Sequence, residues 1–253
     1  MPPLDVFVLD FDGVLCDSAA ETAVSAWRAG QRFFPAWKGE DPPPAAIEDF
    51  VAIRPVLETG YQAIPLLHRI LAGVSRADIR REGAAAAEAL LPRLGLDKPT
   101  LIRAFGETRD AWIAADPAGW LARHRFYPGT LERLRERLAA GCPVRIATTK
   151  QERFVLALLA GESLDFPAAH VFGLDSGRKK EQILRETQAE FPGAAIHFVE
   201  DRLDTLRRVE ACPELDAVRL YYADWGYGLP PERAAAQASP RIHLWTLEQF
   251  LRV

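Results

Sequence analysis

The 253-residue sequence has few cysteines and no long apolar run. Its three cysteines, Cys16, Cys142 and Cys212, are widely separated and odd in number, so neither a disulfide framework nor a zinc cluster is predicted. No apolar run approaches the length of about 18 residues that a membrane-spanning helix needs. The N-terminus also lacks the cationic flank of a signal peptide. These absences predict a cytoplasmic protein that has no membrane partner.

An excess of positive charge is absent as well. Lysine and arginine together number 31 against 35 aspartates and glutamates, which gives a formal net charge of −4. This charge provides no basic field of the kind that attracts nucleic acids, so a nucleic-acid partner is not predicted. Hydrophobic residues make up 49% of the chain. At this length we expect a substantial core, in one large domain or in a domain with an inserted module.

Short β-like runs alternate with helical patterns along much of the chain. This alternation is typical of an α/β fold with a parallel sheet covered by helices. One helix is clear at residues 130–141, where Thr130 is a candidate cap, Leu131, Leu134 and Leu138 form an apolar stripe, and Gly141 ends the pattern. The arginines and glutamates of this helix are expected to face solvent. The predicted strands are residues 6–9, 144–148, 170–172, 196–199, 218–222 and 242–245.

The alternation is interrupted after the first strand by more than 100 residues without a convincing strand. Helical signals fill this gap: Ser75 and Asp78 have the spacing of a helix cap, and apolar residues recur at helical intervals. The sequence therefore predicts an inserted helical domain at residues 18–126 and a core formed by residues 1–17 and 127–253. The two clearest apolar faces consist of Ile64, Leu67 and Leu71, and of Leu101, Phe105 and Trp112.

Two carboxylates stand at the end of the first predicted strand, in VFVLDFDGVLCDS. Asp10 follows the apolar run directly, Asp12 lies two residues later, and Gly13 allows the chain to turn sharply. Carboxylates this close repel each other and resist burial unless a cation or a shared proton compensates them. The stretch therefore indicates a functional site.

Polar residues also follow other predicted strands. Ligands of open α/β sheets bind at the carboxyl ends of the strands, so these residues are expected to converge on one edge. A pair of lysines at the start of a helix is expected to reach the same edge. The residues concerned are Thr148, Thr149 and Lys150 after the second strand, Glu200 and Asp201 after the fourth, and the lysines Lys179 and Lys180.

Taken in order, these motifs resemble those of the haloacid dehalogenase superfamily over the whole chain. DFDGVLCDS is similar to its first motif, Thr148 to the second, Lys180 or Lys179 to the third and Glu200-Asp201 to the fourth. The stretches YYADWGYG and RIHLWTLEQFL resemble the last strands of the phosphoglycolate phosphatase and β-phosphoglucomutase relatives. The resemblance implies a Rossmann-like core with a helical cap inserted after the first motif.

The same resemblance implies a role for each motif. Asp10 is the expected nucleophile, since a carboxylate that attacks phosphorus forms an acyl phosphate and divides phosphoryl transfer into two easier steps. Asp12 is the expected general acid and base. Mg²⁺, which prefers oxygen ligands, is expected on Asp10, Asp201, Glu200 and the carbonyl of Asp12. The expected phosphate ligands are Thr148, Thr149 and Lys180.

One position departs from the pattern of many relatives. These relatives carry a further aspartate four residues after the metal-binding acid, whereas this chain has Thr205 there and Asp204 one place earlier. The adjacent acids Glu200 and Asp201 match the variant in which neighbouring carboxylates share the metal. Asp204 is therefore interpreted as a charge at the start of a helix. Within the predicted cap, Arg54 is the best candidate for a residue that recognises the substrate.

The motifs predict a Mg²⁺-dependent phosphatase that acts on a small phosphorylated metabolite. Two alternatives stay open at this stage. A phosphomutase would use the same aspartyl phosphate but pass the group to a second sugar hydroxyl, and a non-catalytic binding or regulatory protein could share the fold. The sequence leaves the oligomeric state open.

Overall fold

The computed structural model describes residues 3–253, which divide into two compact units. The first unit contains the residues up to Asp17 together with Phe126–Val253, and the second contains Ser18–Arg125. The sequence predicted that the helical insertion ends at residue 126, whereas the second unit ends one residue earlier, at Arg125. A cap function of the second unit remains a prediction.

A six-stranded parallel sheet forms the centre of the first unit, so the predicted α/β class is confirmed. All six predicted strands are present within a residue or two of their expected bounds. They are β1 (Asp5–Leu9), β4 (Val144–Ala147), β5 (Val171–Phe172), β6 (Ala195–Glu200), β7 (Arg219–Ala223) and β8 (Ile242–Trp245), while β2 (Cys16–Asp17) and β3 (Arg125–Phe126) form a separate two-stranded sheet. The strand order of the large sheet is β5-β4-β1-β6-β7-β8.

The two central strands are buried along almost their whole length. Helices cover both faces of a parallel sheet, which explains why β1 and β6 are nearly continuous apolar runs. Their register pairs Val8 with Phe198 and Leu9 with Val199. The backbone N–H of Asp10 continues the ladder by donating to the Val199 carbonyl at 3.0 Å. This register brings the residues that follow β1 and β6 to the same edge of the sheet.

Helices of the second unit enclose their own apolar core, which includes Phe50, Leu66 and Leu101. The predicted Ser75 cap is confirmed, because its side chain accepts a hydrogen bond from the N–H of Asp78. Leu71 was expected on a buried face but is 36% exposed at the end of its helix. The helices are α1 (Ala19–Gly30), α2 (Pro44–Ile53), α3 (Ala63–Leu71), α4 (Arg76–Glu88), α5 (Lys98–Ala115) and α6 (Pro117–Leu121).

The first unit contributes the remaining helices, and the start of the first of them corrects a prediction. Gly129, with a φ of +80°, occupies the cap position, and Thr130 is the first helical residue. The Thr130 hydroxyl donates to the Leu15 and Tyr127 carbonyls instead of capping the helix. The helices are α7 (Thr130–Ala139), α8 (Glu152–Gly161), α9 (Lys180–Glu190), α10 (Leu203–Glu210), α11 (Pro230–Gln237) and α12 (Leu247–Arg252).

Arg137 of α7 also differs from expectation, because it is buried and not solvated. Its guanidinium carbon lies 3.8 Å from the ring centre of Phe7 and 4.6 Å from that of Phe250. Burial between these rings lowers the pKa of Arg137 to about 10. The arginine therefore acts as part of the core between the sheet and α12.

A buried ion pair joins two helices of the second unit. Arg109 of α5 donates from Nε to Glu21 Oε1 at 2.8 Å and from Nη2 to Oε2 at 2.5 Å. The indole of Trp120 donates to the same carboxylate at 3.1 Å. Glu21 is fully buried, so its charge depends on these donors. None of the helices in the described part of the chain combines the length and apolar character that crossing a membrane requires.

We expect Arg109→Met to destabilise the chain by about 3 kcal/mol or more, because the substitution leaves the charge of Glu21 buried without its partner. Arg32→Met is the matched control: Arg32 pairs with Glu107 at 2.6 Å, but both side chains are about half exposed. An exposed pair of this kind contributes at most about 1 kcal/mol. Urea unfolding of both variants measures the difference, and equal losses would contradict the structural role of the buried pair.

Candidate active site

The loop after β1 is shaped by a glycine that lies against a carboxylate. Gly13 has a φ of +96°, a backbone conformation that residues with a Cβ atom rarely adopt. A Cβ atom at this position would also lie 2.0 Å from Asp201 Oδ2. Both constraints require glycine here, and they allow the loop that carries Asp10 and Asp12 to approach the end of β6.

Three carboxylates meet at the carboxyl edge of the sheet. One side-chain oxygen from each of Asp10, Glu200 and Asp201 lies within 4.8 Å of the others, and the three residues are 6%, 0% and 1% exposed. The structure thus brings together the acids that the sequence assigned to the first and fourth motifs. The Asp12 carboxylate is directed elsewhere and pairs with Lys150.

Lys180, the first residue of α9, lies between two of these acids. Its Nζ is 2.9 Å from Asp10 Oδ1 and 2.5 Å from Glu200 Oε2. Lys179 occupies the position before the helix, makes no capping hydrogen bond with its side chain, and is exposed. Of the two lysines that the sequence left open, Lys180 is therefore the one located at the acid cluster.

Burial and mutual repulsion change the protonation of this cluster. Burial, and next the charge of Glu200, raise the pKa of Asp10 to about 7, although Lys180 opposes the change. Burial likewise raises the pKa of Glu200. Burial alone would lower the pKa of Lys180, but the charges of Asp10 and Glu200 outweigh it and raise that pKa. A bound cation would oppose the repulsion that keeps protons on the acids.

The turn after β4 contains a second lysine, Lys150, which the sequence placed at this edge without a chemical role. Lys150 Nζ lies 2.9 Å from Asp12 Oδ1 and 3.2 Å from Oδ2, and its side chain is 1% exposed. Thr148 accepts a hydrogen bond from the Lys150 N–H at 3.1 Å and is buried, whereas Thr149 is exposed. The signal in the sequence was the run TTK, but nothing in it indicated that Lys150 pairs with Asp12.

The donor set of this site fits Mg²⁺. The ligand atoms are carboxylate oxygens, the type that this ion prefers. Asp10 Oδ1 is buried, and in the described part of the chain its near polar neighbour is Lys180 Nζ, at 2.9 Å. When all are ionised, the four carboxylates Asp10, Asp12, Glu200 and Asp201 exceed the two ammonium groups by two negative charges. A divalent cation would neutralise this excess.

Two further predicted residues have clear positions. Asp204 is exposed in the first turn of α10, where a negative charge favours the helix dipole. Arg54 is 9% exposed within the helical unit, and its Nη1 donates to the Leu57 carbonyl at 3.2 Å. A role of Arg54 in substrate recognition stays a prediction.

Solved structures with a similar fold cover the whole chain. A predicted phosphatase from Clostridium acetobutylicum has a TM-score of 0.59 and 16% identity, and the match covers 100% of this chain and 98% of that one. A predicted phosphoglycolate phosphatase from Haemophilus somnus has a TM-score of 0.59, 17% identity and coverages of 99% and 96%. A hydrolase of the haloacid dehalogenase-like family from Streptococcus pneumoniae has a TM-score of 0.57, 13% identity and coverages of 98% and 97%.

The chain therefore has the fold of the haloacid dehalogenase-like hydrolases, as its motifs predict. The sequence matches no protein-family model and no curated protein. At identities this low the likeness establishes the fold, and the chemistry has to be argued from the residues of the site.

The raised pKa of Asp10 predicts the pH dependence of metal-free stability. The carboxyl has a pKa of about 7 in the folded chain and an ordinary value of 3.8, so the folded state binds its proton more tightly. Its contribution to stability is present below pH 3.8 and is lost as the pH rises through 7. Asp10→Asn should then stabilise the metal-free protein by about 1–2 kcal/mol at pH 8. This gain is smaller than the raised pKa of Asp10 alone implies, because the substitution also removes an ionic partner of Lys180.

Thermal unfolding at pH 8 and pH 4 in the presence of a chelator measures this gain. We expect little gain at pH 4, where Asp10 is already neutral. Asp204→Asn is the control, since Asp204 is an exposed acid outside the cluster. A loss of stability in Asp10→Asn at pH 8 would contradict the repulsion that the structure indicates.

Proposed function

We propose that the protein is a Mg²⁺-dependent phosphatase that hydrolyses a small phosphorylated metabolite through an aspartyl phosphate. The observation that carries this proposal is the position of Asp10, which belongs to the acid cluster and contacts Lys180. Asp12, two residues further along the chain, forms an ion pair with Lys150. This arrangement at one edge of the sheet supports the proposed roles of Asp10 as nucleophile, Asp12 as acid and base, Lys180 as phosphate-binding cation and the acid cluster as metal site.

In the first half of the proposed reaction, a carboxylate oxygen of Asp10 attacks phosphorus. The bond between phosphorus and the ester oxygen breaks, and Asp12 gives a proton to the departing alcohol. Lys180 and the Thr148 hydroxyl are suited to bind the phosphoryl oxygens, one as a compact cation and the other as a donor. Lys150 contacts both Asp12 oxygens and so fixes the direction of that carboxylate.

In the second half, Asp12 takes a proton from water, and the water oxygen attacks phosphorus. The bond to Asp10 breaks, which releases inorganic phosphate, restores the Asp10 carboxylate and leaves Asp12 protonated for the next cycle. Asp10, Asp201 and Glu200, with the carbonyl of Asp12, would hold Mg²⁺. When bound, this ion supplies positive charge that neutralises the crowded carboxylates and the phosphoryl oxygens.

The proposed compartment is the cytoplasm. Cys16, Cys142 and Cys212 form no disulfide bonds, which suits a reducing environment. The proposed substrate is a small phosphate ester, with no nucleic-acid or membrane partner.

Substitutions of the two first-motif aspartates should separate the two half-reactions. With p-nitrophenyl phosphate, whose leaving group needs little protonation, Asp12→Asn should release about one equivalent of nitrophenol rapidly and then turn over slowly. Asp10→Asn should show neither phase and lose about a thousandfold or more of turnover. Rapid-mixing kinetics measures the burst, and acid quenching detects the phosphorylated chain.

Asp204→Asn is the control and should turn over like the wild type. A burst in Asp10→Asn would move the nucleophile to another residue. With sugar phosphates, free phosphate without an isomerised sugar phosphate supports the phosphatase, whereas isomerisation would support a phosphomutase.

The two fourth-motif acids should differ in their effect on the Mg²⁺ requirement. Glu200 already accepts from Lys180 and, at 3.1 Å, from the Arg202 N–H, so its oxygens are engaged by the protein. Asp201→Asn should raise the Mg²⁺ concentration for half-maximal activity by about tenfold or more, and Glu200→Gln by less. Titration of activity against Mg²⁺ ranks the two, and the opposite order would make Glu200 the main ligand.

A further inference from the structure

A short segment after β7 contacts both loops that carry the acids of the site. This segment, which we call the strap, consists of Trp225, Gly226 and Tyr227. The backbone N–H of Tyr227 donates to Asp201 Oδ2 at 2.8 Å, and its phenol donates to Asp17 Oδ1 at 2.8 Å. Tyr227 thereby links the end of β6 to the end of the loop that begins with Asp10.

The backbone of the strap lies very close to the residues that it links. A Cβ atom at Gly226 would lie 2.4 Å from the Asp201 Cβ and 2.4 Å from the Gly13 carbonyl oxygen, so only glycine fits between them. The indole of Trp225 donates to the Val14 carbonyl at 3.0 Å. The strap is thus attached to the first-motif loop by two aromatic side chains and lies directly against its backbone.

The sheet alone does not fix the relative directions of the acids. The register of β1 and β6 sets the backbone positions at which Asp10 and Asp201 follow the strands. It does not set the directions of their side chains, because both residues lie in loops just beyond the strand ends. The hydrogen bond from Tyr227 to Asp201 determines where one oxygen of that carboxylate points. The phenol in turn determines where the backbone of Tyr227 lies relative to the first-motif loop.

We propose that Tyr227 is a positioning residue for the metal site, holding Asp201 through its backbone while its phenol fixes the strap to Asp17. This inference rests on the proposed function for the identity of the metal. It assigns a role to a residue outside the four motifs and predicts that a phenol without contact to the acid cluster controls metal affinity. Residues that orient metal ligands typically change affinity by about 10- to 100-fold, and a residue one step further removed should change it less.

Tyr227→Phe tests the phenol alone, because it keeps the ring and the backbone N–H that binds Asp201. Calorimetric titration of the metal-free protein with Mg²⁺, without substrate, should show affinity weakened about three- to tenfold. Tyr221→Phe is the matched control: Tyr221 lies in the same unit, and its hydroxyl is 3.2 Å from His197 Nδ1. We expect that control to bind Mg²⁺ within about twofold of the wild type. An equally small change in Tyr227→Phe would overturn the proposal.

A double-mutant cycle with Asp17 tests the proposed route. If the phenol acts through Asp17, then Asp17→Ala should weaken Mg²⁺ binding by a similar factor, and the double variant Tyr227→Phe/Asp17→Ala should be no worse than either single one. Asp17→Asn keeps an acceptor oxygen and should recover most of the affinity. Additive losses, or no recovery with asparagine, would contradict a role through this hydrogen bond.

Metal affinity also separates this inference from the proposed function. A wild-type chain that binds Mg²⁺ but hydrolyses no phosphate ester would contradict the phosphatase, and the strap would still be judged by the affinity of Tyr227→Phe. In an active enzyme, Tyr227→Phe should mainly raise the Mg²⁺ concentration for half-maximal turnover. A loss confined to kcat at saturating Mg²⁺ would overturn the positioning role.

Discussion

Repulsion between buried carboxylates is the constraint on which the rest of the site depends. Asp10, Glu200 and Asp201 place oxygens within 4.8 Å of one another at positions that water hardly reaches. Carboxylates in such surroundings retain their charge only if cations compensate them. Asp12 brings the number of carboxylates at this edge to four, and Lys180 and Lys150 supply two positive charges, so with all four acids ionised the excess of two negative charges matches one divalent ion.

The sheet imposes this crowding. Parallel pairing of β1 with β6 ends both strands at one edge, and the apolar residues before each acid are buried on both faces. The acids cannot move apart without breaking that register. The fold instead surrounds them with fixed partners: a lysine at the start of α9, a lysine after β4, and the backbone N–H groups of Arg202 and Tyr227.

The sequence predicts the sheet well because its information is local. Each strand is a short apolar run, and the first- and fourth-motif acids lie at the end of such a run or within three residues after it, so neighbouring residues carry the signal. The pairing of Lys150 with Asp12 joins residues 138 positions apart, and the contact of Tyr227 with Asp17 joins residues 210 positions apart. A pattern of neighbouring residues in the sequence cannot predict contacts between residues this far apart. Arg137 was misjudged for the same reason, since the rings of Phe7 and Phe250 that cover it lie far away in the chain.

Charge also limits where substrate specificity can arise. A phosphate monoester brings up to two further negative charges to a site that Mg²⁺ would bring close to neutrality. Lys180 is the described cation in contact with Asp10, the proposed nucleophile, so binding of a phosphoryl group there would require it to share its donors between Asp10, Glu200 and the new oxygens. In the proposed reaction, the acid cluster and its lysines would therefore recognise the phosphoryl group, whatever alcohol it carries. Discrimination between alcohols has to come from residues outside this cluster.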